Sequence, residues 1–155
     1  MREIIFKAKT CNGEWVEGLL ANKGNKWYIS NKAGQPFAFE VRPDTICQYT
    51  GLTDKNGRKI WENDIVRTQE YSDKPYSKTR KTKRHIGVVE YDIGKGSGFY
   101  NEETEKHDRY CEYSAEWSVK IKDYGIYCCG NWGDFFDCEV IGNVFDNPEL
   151  LKGGA

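Results

Sequence analysis

The chain of 155 residues has no long apolar run. No stretch approaches the ~20 consecutive apolar residues that a membrane-spanning helix needs, so no such helix, and no membrane partner, is expected. The opening Met1-Arg2-Glu3-Ile4-Ile5-Phe6-Lys7 has too short an apolar core for a secretory signal, and a cytoplasmic protein is expected. Net charge is nearly absent: 23 Lys and Arg stand against 24 Asp and Glu, for −1. The chain as a whole therefore does not attract nucleic acid, and any such binding has to come from a local patch. Histidine is scarce. His85 and His107 are the two present, and both lie in charged segments. A general base needs a shell that positions it, which exposed loops rarely supply, so no enzyme is expected. There is no internal repeat.

What the chain does have is aromatics and glycine. Ten Tyr, seven Phe, five Trp and sixteen Gly, with few aliphatic runs, favour β structure over helix bundles. The length fits one compact unit. Cys11, Cys47, Cys111, Cys128, Cys129 and Cys138 form an even set. In a cytosolic chain they are expected to be reduced and mostly buried.

The most legible stretch runs from Gln48 to Arg67. Asn56-Gly57 is a turn signal in which both residues accept positive φ at low cost. Glu62-Asn63-Asp64 makes a second turn, whose acids are expected to cap it, and Ile65-Val66 starts a strand. Before it, strands are expected at residues 4–8, 15–20, 27–29 and 37–41, the last half-buried with Phe37, Phe39 and Val41 alternating. Asn12-Gly13 turns the first hairpin. Pro43-Asp44-Thr45 reads as a single helical turn. After it, Ile86 to Tyr91 is expected to pair with Ile65-Val66. Phe99-Tyr100 reads as a short strand, and 101–109 as exposed helix or loop. Tyr113, Ala115, Trp117, Val119 and Ile121 share one face of a strand. Glu139 to Phe145 is a last strand, followed by a helical turn with Pro148 at its start and a tail over 152–155.

The sharpest functional feature is the basic insertion over residues 70–85. Between Lys74 and His85 it holds six basic residues and no acid. Lys78, Arg80, Lys81, Lys83 and Arg84 could neutralise phosphates, and Tyr76 could stack a base. The plainer alternative is a solvated loop balanced by acids between Glu102 and Asp108. Cys128, Cys129, Cys138 and His107 lack the paired spacing of a zinc site, so no metal or other cofactor is expected. Gly94-Lys95-Gly96-Ser97-Gly98 lacks the order of a phosphate-binding loop. The five tryptophans are too dispersed in sequence to form a recognisable cage.

Four stretches resemble the YopX family of phages and prophages: Gln48 to Gly57, Ile60 to Val66, Gly87 to Tyr91, and Glu139 to Leu151. Typical members carry Glu-Gly-Asp where this chain has Glu62-Asn63-Asp64. Asn tolerates the left-handed backbone that Gly would adopt there. The resemblance implies a mainly β fold of antiparallel strands with little helix. It implies a single unit over 1–151, an N-terminal β region (1–46) and a small barrel-like part (47–151). It brings no catalytic residues. The function expected is a non-enzymatic accessory module, oligomeric, acting on a host or phage protein in the bacterial cytosol. Nucleic-acid binding through residues 74–85 is one alternative. The other is a pocket that sequesters a small nucleotide by aromatic stacking and so opposes host defence.

Overall fold

A computed structural model describes residues 3–30, 38–68, 71–72, 82–94, 99–101, 106–108, 114–121, 125–128 and 138–152. Strands dominate, and they pair antiparallel throughout. In chain order they are β1 (Phe6–Lys9), β2 (Trp15–Lys23), β3 (Lys26–Ser30), β4 (Ala38–Val41), β5 (Cys47–Thr53), β6 (Lys59–Trp61) and β7 (Asp64–Arg67). Then come β8 (Tyr71–Ser72), β9 (Thr82–Lys83), β10 (Ile86–Gly94), β11 (Phe99–Asn101), β12 (Lys106–Asp108), β13 (Ser114–Ile121), β14 (Gly125–Cys128) and β15 (Glu139–Asn143). Short 3-10 turns at Pro43–Thr45 and Pro148–Leu151 supply the little helix described. Among the described residues no helix is long and apolar enough to cross a membrane.

The first sheet has the order β4-β3-β2-β1-β5-β6. It also curls, because Val41 of β4 bridges to Thr10 just past β1, and Arg42 N–H donates to Lys9 O at 2.8 Å. Alternation along β1 then divides its side chains. Phe6 and Ala8 face the inside of the curl with Ile29, Val41, Leu20 and Trp27. Ile5 faces the other way and packs with Cys47, Tyr49 and Trp61.

The second sheet has the order β14-β13-β10-β7-β15. Among the described residues nothing joins β14 to β15, and no closed barrel is found there. Ile86, Gly87 and Val88 pair with Arg67, Val66 and Ile65, as the apolar pattern predicts. Its core is Val66, Val89, Trp117, Val119, Cys138 and Val140, with Ile60. The turn at residue 63 connects the sheets, and Asn63 has the left-handed φ of 64° expected for it. Its N–H donates to Val89 O at 2.8 Å, and its carbonyl accepts from Val144 N–H at 3.0 Å.

Several expectations are corrected. At the 54–57 turn only Gly57 takes positive φ (79°), because Asp54 holds the turn through its own side chain. Phe39 stays 39% exposed, since its strand lies at the sheet edge. Residues 106–108 form β12, paired with β11, rather than helix or loop. Cys47 and Cys138 are buried but Cys11 is exposed at the first hairpin turn. Cys111 and Cys129 lie outside the described residues, and Cys128 ends β14.

Candidate functional site: a polar cleft at the seam of the two sheets

The seam between the sheets opens into a cleft of about 540 Å³. The first sheet contributes Lys7, Glu17, Lys59 and Trp61; the second contributes Asp64 and the wall from Val140 to Asn143. Register explains the first group. Lys7 sits opposite Glu17 on one side and Cys47 on the other, so all three share a face. Tyr49 sits opposite Trp61, which brings β6 onto that face too.

At the base, Lys7 Nζ donates to Asp64 Oδ1 at 2.7 Å. Asp64 Oδ2 accepts from Trp61 N–H at 2.9 Å, so it caps the second turn as expected. Glu62 instead reaches across to Gln48 N–H at 3.2 Å. Burial pushes the Asp64 carboxyl above its ordinary range, against the pull of the Lys7 ammonium. Burial likewise pushes the Cys47 thiol up to about 11, so it is not a nucleophile at neutral pH.

At the rim, Lys59 Nζ lies 3.2 and 3.4 Å from the two Glu17 oxygens. Arg58 donates from Nη1 to Val140 O at 2.9 Å. The ammonium groups of Lys7 and Lys59 sit 5.3 and 5.6 Å from the Trp61 ring centre. Lys7 and Lys9 also lie 5.1 and 5.4 Å from the Trp15 ring. Two of the dispersed tryptophans are thus gathered around lysines, as cation–π contacts favour.

Two aspartates brace the walls. Asp54 accepts from Asn56 and Arg58 N–H through Oδ1, and from Val140 N–H through Oδ2 at 3.0 Å. Burial works to raise its carboxyl, but those backbone donors outweigh it and leave it lowered. Asp146 accepts from Lys9, from Trp15 Nε1 at 2.7 Å and from Asn143 Nδ2 at 2.9 Å. Those bonds, that of Lys9 foremost, lower it to about 2.

Little of the basic segment falls among the described residues. Tyr76, Lys78, Arg80 and Lys81 fall outside the described residues. Lys83 is on β9 opposite Tyr71, and Arg84 is exposed at the foot of that strand pair. Nearby, Lys55 and Arg67 lie 2.9 and 3.5 Å from Glu139, whose carboxyl they and Arg84 lower, Lys55 most. Next to Arg84, His85 is 5% exposed rather than part of a solvated loop, its N–H donating to Thr68 Oγ1 at 3.0 Å. The side chain of His107 is not described, and among the described residues no cluster suited to a metal is present. None of Lys7, Glu17, Arg58, Lys59 or Asp64 was legible as a cleft residue. The one signal was a lysine alternating with apolar residues on β1.

The YopX protein family profile matches residues 5–152. The chain belongs to the YopX family. This YopX chain is also similar to a crystal structure described as protein EF1440 from Enterococcus faecalis. The two are 24% identical, with a TM-score of 0.47, over 97% of this chain and 99% of that one. A comparison with curated proteins finds no match.

Proposed function

We propose that this YopX protein is a non-enzymatic binding module whose contact surface is the seam cleft. In this reading it is a phage or prophage accessory protein acting in the bacterial cytosol. One observation carries it. The cleft's charged side chains are held in place yet leave capacity for a ligand: Lys7 is fixed on Asp64, Lys59 meets Glu17 loosely, and Arg58 spends one donor on Val140 O. Such groups recognise a partner, whereas catalysis needs a nucleophile or base held poised.

Lysine-labelling footprinting in bacterial extract tests it. The reactivity of Lys59 is expected to fall, while that of Lys26 and Lys152 stays unchanged, and the captured ligand is recovered chemically intact. Protection confined to the basic strand pair, or steady conversion of the ligand, sinks the reading.

A second reading, nucleic-acid binding through residues 74–85, is favoured by the surplus of positive charge at Glu139, which pairs with Lys55 and Arg67 and also feels the charge of Arg84. Fluorescence anisotropy with DNA and RNA checks it. Affinity should fall steeply with salt and vanish when Arg80, Lys81, Lys83 and Arg84 become Ala. Absence of binding at low salt removes this reading.

A further inference from the structure

We propose that the cleft binds a small phosphorylated organic molecule, with its phosphate held between Arg58 and Lys59. This rests on the cleft being the contact surface. The lining carries three cations (Lys7, Arg58, Lys59) against two carboxylates (Glu17, Asp64), a net of one positive charge.

The two lysines differ in how firmly they are held. Lys7 is locked on a carboxylate whose side chain is 3% exposed, at 2.7 Å. Lys59 meets Glu17 at 3.2 Å in a half-exposed pair, and the Glu17 side chain is 54% exposed. A dianionic phosphate outcompetes a single, loosely held carboxylate for that ammonium, and Glu17 can swing into solvent.

Arg58 adds a planar fork. Its bond to Val140 O uses one of five N–H donors and fixes the plane of the rest, the geometry that suits phosphate. Asn147 turns its Oδ1 to Asn143 N–H, which leaves its Nδ2 as a further donor in the cleft. Gly142 keeps that wall low: a Cβ there would lie 2.6 Å from Asn147 Oδ1.

Size and polarity narrow the class. A bare phosphate fills little of about 540 Å³, whereas a molecule of mononucleotide size fits. Trp61 is only 6% exposed and already faces two lysines, so it offers no stacking surface. Recognition therefore falls on the phosphate and not on a base.

Titration calorimetry tests this with adenosine 5′-monophosphate, inorganic phosphate and adenosine. The monophosphate is expected to bind saturably, phosphate more weakly, and adenosine not at all. Lys59→Gln weakens binding by roughly tenfold, the size of one charge-assisted hydrogen bond. Glu17→Gln strengthens it by removing the competing carboxylate. A merely structural ion pair would shift the melting temperature of both variants and leave binding alone. No saturable heat at millimolar monophosphate, adenosine binding equally, or both variants binding like the parent overturns the proposal. If extract protects Lys59 while the phosphorylated probes fail, this inference falls and the cleft reading stands. If extract gives no protection, the reading beneath it falls as well.

Discussion

Lys7 Nζ and Asp64 Oδ1 stand 2.7 Å apart at the seam, joining the first strand of one sheet to the first strand of the other. The pair spans 57 residues of chain, and both side chains are largely shielded from water. Removing one partner leaves the other charge buried and uncompensated. Lys7→Met should therefore cost about 3 kcal/mol at pH 7.5, read by urea denaturation. Asp64 already has a raised carboxyl, and without Lys7 it rises further. A group raised in the fold takes up its proton more readily folded than unfolded, so its contribution is fully present below the unfolded value and is lost as pH rises. The variant's deficit should thus shrink at pH 5. A deficit equal at both pH values would contradict this account.

Asp146 has the opposite sign. Its carboxyl is lowered to about 2, so the stability it contributes is present above the ordinary carboxylate value near 4 and is lost as pH falls through 2. The group is more than a third exposed, and screening reduces its contribution to about 1 kcal/mol. Asp146→Asn should be less stable than the parent by that amount at pH 7, and the difference should close as pH falls below 2. Thermal unfolding across that range measures it.

Asp54 ties the 54–57 turn to β15 with three backbone bonds from a buried carboxylate. Asp54→Ala strands those donors and should cost about 3 kcal/mol. Asp54→Asn keeps an oxygen for Asn56 and Arg58 but sets an amide N–H₂ against Val140 N–H. It should lie between the two in a chemical denaturation series.

Two glycines should respond very differently to Ala. At Gly18 an added Cβ would sit 1.9 Å from the backbone oxygen of Ser30, which cannot move without breaking the β2–β3 pairing. Gly18→Ala should cost several times more than Gly57→Ala. At Gly57 nothing lies within 4 Å, and only the φ of 79° is unfavourable, about 1 kcal/mol. Comparable melting temperatures for the two variants would refute the steric account.

Asn63 holds φ at 64°, and its Nδ2 meets Cys47 Sγ at 3.7 Å, a weak contact. Asn63→Gly should change stability by less than about 0.5 kcal/mol, since Gly takes the same backbone freely. Asn63→Val should cost about 2 kcal/mol, because a β-branched residue is strained there. Equilibrium unfolding of the pair decides the matter.

Sequence alone determined the local structure of this protein, because strands and turns are written in short-range patterns. Clustered β-branched residues marked the strands at Ile65-Val66 and at Ile86 to Val89, and those two strands pair, Val88 against Ile65. Asn63 was legible as a left-handed position because it stands where members of the family it resembles carry Gly, and Asn tolerates that backbone. The same patterns identified the family. Tertiary structure decided the cleft. Lys7, Glu17, Lys59 and Asp64 sit in four different strands, and each reads locally as an ordinary surface charge or a turn residue. Only strand register sets Lys7 opposite Glu17, and only the turn at Asn63 lays Asp64 beneath Lys7. Long-range pairing of charges leaves no short-range trace, because an ion pair constrains two positions in space and neither of their neighbours in sequence.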